Sequence, residues 1–256
     1  IGFMGAGKTA VARELSAVLK KDAVDMDELI TKRSRMPVQK IFAQQGETAF
    51  RELEIKTAKE LGQRDDLIIS TGGGVVMNQV AMQYLKEHGF VISLQHSFAT
   101  ARKRLGSRNL PPLFKDLHTA KKLYAFRVPL YTHYSDIEIA TDRKTITQVV
   151  REIGSHICLV IGDPIAHSLS PLIHNAAYKA AGIASQYVFL SSRVRREDLG
   201  RFMKHAKAAS IRGISVTIPH KTTVMKHLDV IDPTAKKIGA VNTVVNDRGL
   251  LKGYNT

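Results

Sequence analysis

The pattern Gly-x-x-x-x-Gly-Lys-Thr occupies residues 2–9, and a helical repeat of apolar residues follows it directly. Val11, Leu15 and Leu19 recur every four residues, which places them on one face of a helix. Glycines let the backbone before a helix curl so that successive N–H groups point inward, and the helix N-terminus adds partial positive charge. A plain strand-to-helix turn is the alternative, but the pattern in this context favours a loop that cradles phosphate groups.

The side chains of this loop suit a nucleoside triphosphate together with its magnesium ion. An amine at Lys8 would hold the β- and γ-phosphates, and the hydroxyl of Thr9 would bind the Mg²⁺ that bridges them. We therefore expect ATP and Mg²⁺ as cofactors, with an ATP site formed by Gly5, Ala6, Gly7, Lys8 and Thr9. Such a loop does not indicate which molecule accepts the phosphoryl group, because kinases, switch GTPases and motor-like ATPases all use it.

Strand and helix patterns alternate along the chain in two series. In the first, helices are predicted over 9–19, 38–61 and 145–153, and strands over 67–70 and 90–94. In the second, strands are predicted over 156–161, 186–190 and 215–218, and helices over 171–181 and 196–208. The alternation predicts an α/β fold with a parallel sheet, followed by a smaller α/β domain. Gly154 and Ser155 form the predicted joint, giving domains over 1–154 and 155–256.

The formal net charge of +15 raises the question of nucleic-acid binding. Lysine and arginine are spread over the whole chain, tryptophan is absent, and the aromatic residues are not interleaved with basic ones. We therefore expect small anionic substrates and no nucleic-acid partner. The single cysteine excludes an intrachain disulfide and fits a cytoplasmic protein, and no apolar run is long enough to predict a membrane span. The sequence leaves the oligomeric state open.

Two carboxylates stand two residues apart in Asp25-Met26-Asp27, just after an apolar approach. In a strand they would share one face, so that one could reach the metal and the other an acceptor hydroxyl. The alternative is a solvated acidic turn that opens the next helix at Glu28. The pair alone does not decide between the two.

Several stretches together with this pair resemble shikimate kinase from residue 2 to about residue 150. They are Ile41-Phe42, Gly46-Glu47, Phe50-Arg51 with Glu54, Gly72-Gly73-Gly74 and Arg127-Val128-Pro129-Leu130-Tyr131. The resemblance implies a P-loop kinase domain that transfers phosphate from ATP to the 3-hydroxyl of shikimate, a step of aromatic amino acid biosynthesis.

The same resemblance implies a role for each matching residue. Asp25 would help Thr9 to hold Mg²⁺, and Asp27 would bind the acceptor hydroxyl and act with Lys8 in catalysis. The substrate carboxylate would be bound by Arg51 and Arg127, whose planar forks match a carboxylate in two parallel hydrogen bonds. Before the resemblance is considered, a surface salt bridge is the alternative for each arginine.

Two further implications complete the kinase site. The glycines Gly72, Gly73 and Gly74 would let the backbone approach the substrate ring. A lid that closes over ATP carries an arginine in the family, and Arg108 matches it as a catalytic and ATP-binding residue. The residues after Arg108 depart from the family's Arg-Pro-Leu-Leu pattern, so the register of the lid is open. Closure would keep water away from the phosphoryl group.

Four motifs in the second series resemble the substrate domain of shikimate dehydrogenase, over about 157–256. They are the stretches 162–171, 216–221, 239–243 and 253–256. A good helix cap is the alternative for the first stretch when it is taken alone. By the resemblance, Ser168 and Ser170 bind the substrate carboxylate, Thr217 and Asn242 contact ring hydroxyls, and Lys221 is the catalytic lysine.

Two departures limit this second resemblance. Ser215 stands where the family has asparagine, and the chain stops just before the aspartate that follows Gly-Tyr-Asn-Thr in the family. No glycine fingerprint for a dinucleotide occurs, so NADP is expected only if the native chain has a further domain. Both ends look cut, since only Ile1 precedes the phosphate loop.

The order of the two parts resembles the C-terminal part of the multifunctional arom protein of fungi, without its intervening dehydroquinase domain. Either a direct fusion or an excerpt fits this order. The leading hypothesis is a shikimate kinase joined to a domain that binds shikimate or 3-dehydroshikimate. A regulator that senses quinate or shikimate is the rival, and a kinase for another small polyol is a third possibility that the arginine pair disfavours.

Overall fold

The computed structural model describes residues 1–106, 114 and 116–256. These residues form two compact units, the first comprising Ile1–Arg13 and Asp22–Ile146 and the second Glu14–Lys21 and Thr147–Thr256. The boundary near residue 155 stays a prediction. Arg108 and the lid segment predicted around it lie outside the described residues.

The strands of the first unit form two parallel pairs. They are β1 (Asp22–Asp25) with β2 (Leu67–Ser70), and β3 (Ile92–Gln95) with β4 (Ile137–Ala140). Ile1 continues the second pair, because its N–H donates to the carbonyl of Ile92 at 2.8 Å and its carbonyl accepts from the N–H of Leu94 at 2.9 Å. The phosphate loop therefore starts beside β3, at the end of a strand-like segment.

Helices separate these strands, as parallel pairing requires. They are α1 (Lys8–Leu19), α2 (Met26–Ser34), α3 (Val38–Gly62), α4 (Gln79–Glu87), α5 (Phe98–Leu105) and α6 (Leu117–Tyr134). Side-chain caps begin several of them: Asn78 accepts from the N–H of Ala81 in α4, and Ser97 accepts from that of Thr100 in α5. A short 3₁₀ turn covers Val75–Met77.

The core of the first unit packs the apolar faces of α2 to α6 against the strands. Phe3, Met26, Val75, Met82 and Tyr131 are among its buried members. Phe3 in the phosphate loop and Tyr131 in α6 belong to the same cluster, so burial holds the loop and the last helix in one body.

The second unit contains one six-stranded sheet in the order β6-β5-β7-β9-β10-β8. Its strands are β5 (Ile157–Gly162), β6 (Val188–Arg193), β7 (Gly213–Val216), β8 (Val230–Ile231), β9 (Thr243–Asp247) and β10 (Leu250–Tyr254). β5 is parallel to β6 and β7, whereas β9 is antiparallel to β7 and β10. The carboxyl ends of β5 and β7 consequently meet at one edge of the sheet.

Helices α7 (Ile146–Gly154), α8 (Ser170–Ala180), α9 (Leu199–Ala208) and α10 (Pro233–Ile238) complete the described elements, with 3₁₀ turns at Arg196–Asp198 and Thr223–His227. Val160, Ile165 and Phe189 form a buried cluster with the half-buried Cys158 and Tyr178. Burial raises the pKa of the Cys158 thiol. No helix within the described ranges has the length and apolar character that crossing a bilayer requires.

The α/β class and its division into a parallel-stranded part and a smaller α/β part are confirmed. The predicted strand 67–70 is observed as β2. The predicted helix 38–61 is broken at Gly46, whose φ of 84° and ψ of 172° are not helical. The strand predicted over 215–218 ends at Val216, and the hairpin of β9 and β10 was not predicted.

Candidate active site

The phosphate loop curls around the amine of Lys8. Gly5 and Gly7 have φ values of +81° and +90°, a region that side chains with a Cβ rarely adopt. The amine donates to the carbonyls of Gly2 at 2.8 Å and Phe3 at 3.2 Å. Loss of water around the amine lowers the pKa of Lys8 to about 8, against the opposite pull of Asp27 and Asp25.

Arg104, in α5, anchors the outer side of this loop. Its guanidinium donates to the carbonyl of Gly5 at 3.0 Å and to the hydroxyl of Thr141 at 2.9 Å. It also donates to the carbonyl of Thr141. The residue was not predicted, because α5 is 99 positions away from the loop and only the fold brings the two together.

Three oxygen-bearing side chains meet beside the loop. The hydroxyl of Thr9 donates to Asp25 Oδ2 at 2.7 Å, and the hydroxyl of Ser70 donates to the same oxygen at 3.0 Å. The two hydroxyl oxygens are 3.3 Å apart. Hard oxygen donors on one or two carboxylates and hydroxyls, completed by phosphates and water, are the ligands that Mg²⁺ prefers. The predicted pair Thr9 and Asp25 therefore fits this ion, and Ser70 adds a third oxygen.

The prediction that Asp25 and Asp27 share one face of a strand is wrong. Asp25 is the last residue of β1 and caps α2, since its Oδ1 accepts from the N–H groups of Asp27 at 3.1 Å and Glu28 at 3.2 Å. Asp27 lies in the first turn of α2. The strand ends at Asp25, whose carboxylate caps the helix, while the carboxylate of Asp27 belongs to the first turn of that helix.

Asp27 packs against the backbone of Gly72. A Cβ placed on Gly72 would lie 2.6 Å from Asp27 Oδ1, closer than nonbonded atoms approach. Only glycine therefore leaves room for the carboxylate at this point. Burial, reinforced by the nearby charge of Asp25, raises the pKa of Asp27 to about 6.

Arg51, in α3, is held by two carboxylates and a carbonyl. It donates to Glu54 Oε2 at 2.9 Å, and its Nε and a terminal nitrogen donate to Glu47 Oε1 at 3.2 and 3.0 Å. A further bond reaches the carbonyl of Gly74 at 3.3 Å. Glu54 is only 2% exposed, and burial raises its pKa despite the neighbouring guanidinium.

Arg127 and Tyr131, one helical turn apart in α6, both reach the carbonyl of Gly73. The hydrogen-bond lengths are 3.3 Å from the guanidinium and 2.6 Å from the phenol. Burial lowers the pKa of Arg127 and raises that of Tyr131. Within the described residues, the Nε of Arg127 is buried without a hydrogen-bond partner.

The two arginines converge on Gly74. A Cβ on this glycine would lie 3.2 Å from both terminal nitrogens of Arg51 and 3.5 Å from a terminal nitrogen of Arg127. Two guanidinium groups held this close repel one another unless an anion lies between or beside them. The arrangement suits a ligand carboxylate bound by two forks.

The three glycines therefore organise the candidate site. Asp27 lies against Gly72, Arg127 reaches the carbonyl of Gly73, and both arginine forks face the position next to Gly74. The structure thus brings together the residues predicted to bind substrate in the first unit. Arg108, which was predicted to bind ATP and to act in catalysis, lies outside the described residues.

Three residues that sequence reasoning left without a role belong to this arrangement: Glu54, Ser70 and Tyr131. Glu54 stands three positions after Arg51, a spacing that places two helical side chains on one face and could have indicated the pair. Ser70 and Tyr131 carry no such local signal, because their partners are distant in the sequence.

The second unit places its predicted residues along one edge of its sheet. Ser168 lies in the segment after β5, and its hydroxyl accepts from the N–H of Ser170, the first residue of α8, at 3.3 Å. Thr217 directly follows β7 and donates its N–H to the carbonyl of Ile161 at 3.0 Å. The three hydroxyls are half-buried at the carboxyl ends of neighbouring parallel strands, where open α/β sheets bind ligands.

Lys221 and Asn242 lie at the same edge. The side chain of Lys221 is exposed, while its carbonyl accepts from the N–H of Val241 at 2.8 Å. Asn242 donates its side-chain amide to the carbonyl of Thr256 at 2.8 Å and accepts from the N–H of Thr256 at 3.1 Å. Chain segments that are distant in sequence are thereby joined next to the lysine.

His220 was not predicted, and it anchors the turn that carries Lys221. Its Nε2 is 2.6 Å from the carbonyl of Val194, and the side chain is fully buried. The short distance to a carbonyl places the ring proton on Nε2. The imidazole therefore holds the turn in place from inside the unit.

Two family models match the chain. The shikimate kinase model matches residues 4–158, more than half of the chain, and the model of the shikimate dehydrogenase substrate binding domain matches residues 160–244. The resemblances stated from the motifs are confirmed by these matches.

Curated relatives and a solved structure are similar to parts of the chain. The shikimate dehydrogenase (NADP(+)) of Bacillus cytotoxicus is 57% identical over 98 residues, which are 38% of this chain and 34% of the relative. That of Dehalococcoides mccartyi is 50% identical over 97 residues, 38% of this chain and 33% of the relative. The chain thus spans about a third of the length of these curated relatives.

A solved shikimate kinase from Acinetobacter baumannii, in complex with shikimate, is 29% identical with a TM-score of 0.56. The match covers 59% of this chain and 87% of that one. Together with the matched family models, it agrees with a P-loop shikimate kinase fold for the first unit. The chain belongs to the shikimate kinase family, and a shikimate dehydrogenase substrate-binding domain follows its kinase domain.

Proposed function

We propose that the first unit transfers the γ-phosphoryl group of ATP to the 3-hydroxyl of shikimate. One observation carries the proposal: a phosphate loop, a carboxylate and two guanidinium groups converge around Gly72, Gly73 and Gly74. The kinase family and the relative solved with shikimate support the identity of the acceptor.

The phosphate end of the reaction is assigned to the loop. Lys8 would exchange its two carbonyl partners for oxygens of the β- and γ-phosphates, to which an ammonium donates more strongly. Mg²⁺, held through Thr9 and Asp25, supplies positive charge that offsets the charge developing on the transferred group. Arg108 remains the predicted lid residue.

The acceptor end is assigned to the arginines and Asp27. The forks of Arg51 and Arg127 would bind the substrate carboxylate and so fix the ring. Asp27 would accept the proton of the hydroxyl as its oxygen bonds to the γ-phosphorus and the bond from that phosphorus to the β-phosphate oxygen breaks. A carboxyl pKa of about 6 leaves Asp27 ionised and basic enough for this at neutral pH. A neutral polyol would offer no carboxylate to the two forks, and the buried Nε of Arg127 would stay without an anionic partner.

For the second unit we propose binding of shikimate or 3-dehydroshikimate at the sheet edge that holds Ser168, Ser170, Thr217, Lys221 and Asn242. Hydride transfer would need a nicotinamide positioned by a protein site. The described residues carry no assigned site of that kind, so the proposal for this unit is restricted to binding.

The decisive experiment measures ADP release by the purified chain with ATP, Mg²⁺ and shikimate. We expect shikimate-dependent turnover that falls by about two to three orders of magnitude in Lys8→Ala, as when a pre-placed donor to the transition state is removed. Lys32→Ala removes an exposed lysine from α2 and is the matched control.

The outcomes separate the alternatives. Turnover in Lys32→Ala but not in Lys8→Ala supports the kinase. Binding of ATP and shikimate without any turnover would contradict it and favour a ligand-sensing regulator.

A further inference from the structure

A concave surface of the second unit contains four cationic side chains. It lies near the end of β7 that is opposite Thr217. We call it the basic pocket, and define it by Arg151, Lys207, Arg212, Arg248, Ser155 and Ser210. Arg212 precedes β7 and Thr217 follows it. Five residues of extended chain span roughly 16 Å, so the basic pocket and the edge predicted to bind substrate are separate.

The charges of the basic pocket are not balanced within it. No carboxylate is among the residues found to line it in the described part of the chain. Lys207 is paired with Asp229 at 2.7 Å, and the Nε of Arg151 donates to the carbonyl of Ala208 at 2.9 Å. For the guanidinium groups of Arg212 and Arg248, no hydrogen bond or ion pair is found among residues 1–106, 114 and 116–256. Asp247, the carboxylate that both influence, is bound to Lys252 at 2.6 Å.

The negative ends of helices stabilise only two of the four cations. Arg151 and Lys207 stand in the last turns of α7 and α9, where cations are stabilised by the negative end of the helix. Arg212 lies before a strand and Arg248 in the hairpin between β9 and β10, so neither gains from a helix terminus. An anion bound among the four cations would therefore gain favourable Coulomb energy from each of them.

The backbone around the basic pocket is fixed by one buried residue, through both its side chain and its backbone. Asn246, 7% exposed, accepts from the N–H of Gly249 at 2.9 Å, and its own N–H donates to the carbonyl of Arg212 at 3.1 Å. Its side-chain amide also reaches the carbonyl of Lys207 at 3.5 Å. The side-chain amide thus ties together the segments that carry Lys207 and Arg248, and the backbone N–H of the same residue joins them to the segment of Arg212. Solvated charges without a common ligand would not require their backbone segments to be held together in this way.

We propose that the basic pocket binds a small phosphate-bearing anion with at least two negative charges. Guanidinium forks match phosphate oxygens in bidentate pairs, and the hydroxyls of Ser155 and Ser210 can donate to the remaining oxygens. A concavity lined by one hairpin and two helix ends favours a small ligand over an extended polyanion. The assignment is independent of the function proposed for the kinase site.

Calorimetric titration with pyrophosphate at low salt tests this assignment. The full chain carrying Lys8→Ala serves as the reference, because the substitution weakens phosphate binding at the loop. We expect one site whose dissociation constant rises at least tenfold on adding Arg212→Ala and Arg248→Ala. Adding Lys226→Ala and Lys237→Ala instead removes two exposed lysines of the same unit, and should change the constant less than twofold.

Each other outcome overturns the proposal. The first is that pyrophosphate does not bind the Lys8→Ala reference. The second is that both double variants lose the same affinity for pyrophosphate. The third is that a single-stranded oligonucleotide binds more tightly than pyrophosphate through the same arginines. Both arginines are exposed, so the variants should fold. If the double variant does not fold, the NMR amide chemical shifts of the Lys8→Ala reference provide the test. Changes at Gly249 and Ser155 on adding pyrophosphate would support the site, and changes confined to other residues would contradict it.

Discussion

The two predicted sites differ in how firmly the protein already holds their charged side chains. In the first unit Arg51 is bound to Glu47, Glu54 and the carbonyl of Gly74, and Glu54 is almost fully buried. In the second unit Lys221 is exposed, and the hydrogen bond described for it involves its backbone carbonyl.

This difference has an energetic meaning. A charge held by internal partners has lost its rotamer freedom on folding, so a ligand does not have to order it. A buried charge that loses its partner is strongly destabilising, whereas an exposed one is not. Function and stability should therefore be linked in the kinase site and separable in the second.

The largest effect is expected from Asp27→Asn, which keeps the shape of the side chain and removes its basicity. We expect kcat to fall by about two to four orders of magnitude, the contribution usual for a positioned general base. Glu28→Gln changes the neighbouring exposed carboxylate and should leave kcat within twofold. Steady-state ADP release measures both. A kcat within twofold in Asp27→Asn would remove the proton-acceptor role.

The next effect concerns stability in the first unit. Arg51→Ala leaves the buried carboxyl of Glu54 without its closest charge partner, and we expect about 3 kcal/mol of lost unfolding free energy. Arg33→Ala breaks an exposed pair with Glu60 and should cost less than about 1 kcal/mol. Urea unfolding provides both values. Equal losses would break the comparison between held and exposed charges.

Gly72→Ala should act through geometry alone. The new Cβ would push the carboxylate of Asp27 away, and a displacement of about 1 Å can lower kcat by about a hundredfold. At Gly73 the nearest atom to a Cβ is the carbonyl oxygen of Gly2 at 3.5 Å, so Gly73→Ala should lower kcat less. The kcat values of the two variants are measured in parallel. A lower kcat in Gly73→Ala than in Gly72→Ala would contradict the contact between Gly72 and Asp27 as the cause.

Lys221→Ala tests the second half of the comparison. Its exposed side chain makes the expected change in unfolding free energy less than about 0.5 kcal/mol. The affinity of the second unit for shikimate should fall about tenfold, as for a lost charge-assisted hydrogen bond. Calorimetry on the intact chain would show one of the two proposed shikimate sites weakened about tenfold and the other unchanged. Loss of stability instead of affinity would reverse the assignment.

The smallest effect should come from Glu47→Gln. Glu47 accepts from two N–H groups of Arg51 that a substrate carboxylate would need, so its charge competes with the substrate. Since Glu47 itself is exposed, its pair with Arg51 is worth at most about 1 kcal/mol, and the KM for shikimate should fall about two- to fivefold. Glu52→Gln, exposed on the same helix, is the control. A higher KM in Glu47→Gln would instead mean that Glu47 orients Arg51.

Local rules predicted the elements that carry the kinase motifs. The glycine pattern and the apolar repeat after it indicated both the loop and α1, and the apolar stretch before the three glycines indicated β2. The break in α3 at Gly46 lay within reach of the same rules, since glycine interrupts helices readily. The short β9 and β10 were harder to predict, because five-residue strands carry little periodicity.

Contacts between distant segments were beyond local rules. The sequence suggested that Asp25 and Asp27 act on different partners and left an acidic turn that opens the next helix as the alternative, but it did not predict that Asp25 caps that helix. Arg104 and Ser70 reach their partners only after the strands have been arranged in space, so their positions in the chain gave no sign of a role.

The carboxylate of Asp25 has one further consequence. One of its oxygens caps α2, the helix that carries Asp27, and the other accepts from Thr9 and Ser70, where the ion of the nucleotide is proposed to bind. A group that binds the second oxygen also alters the hydrogen bonds that the first oxygen accepts from the helix. Because one carboxylate serves both proposed sites, we expect binding of the nucleotide and of the acceptor to be thermodynamically coupled, with each changing the affinity for the other by the same factor.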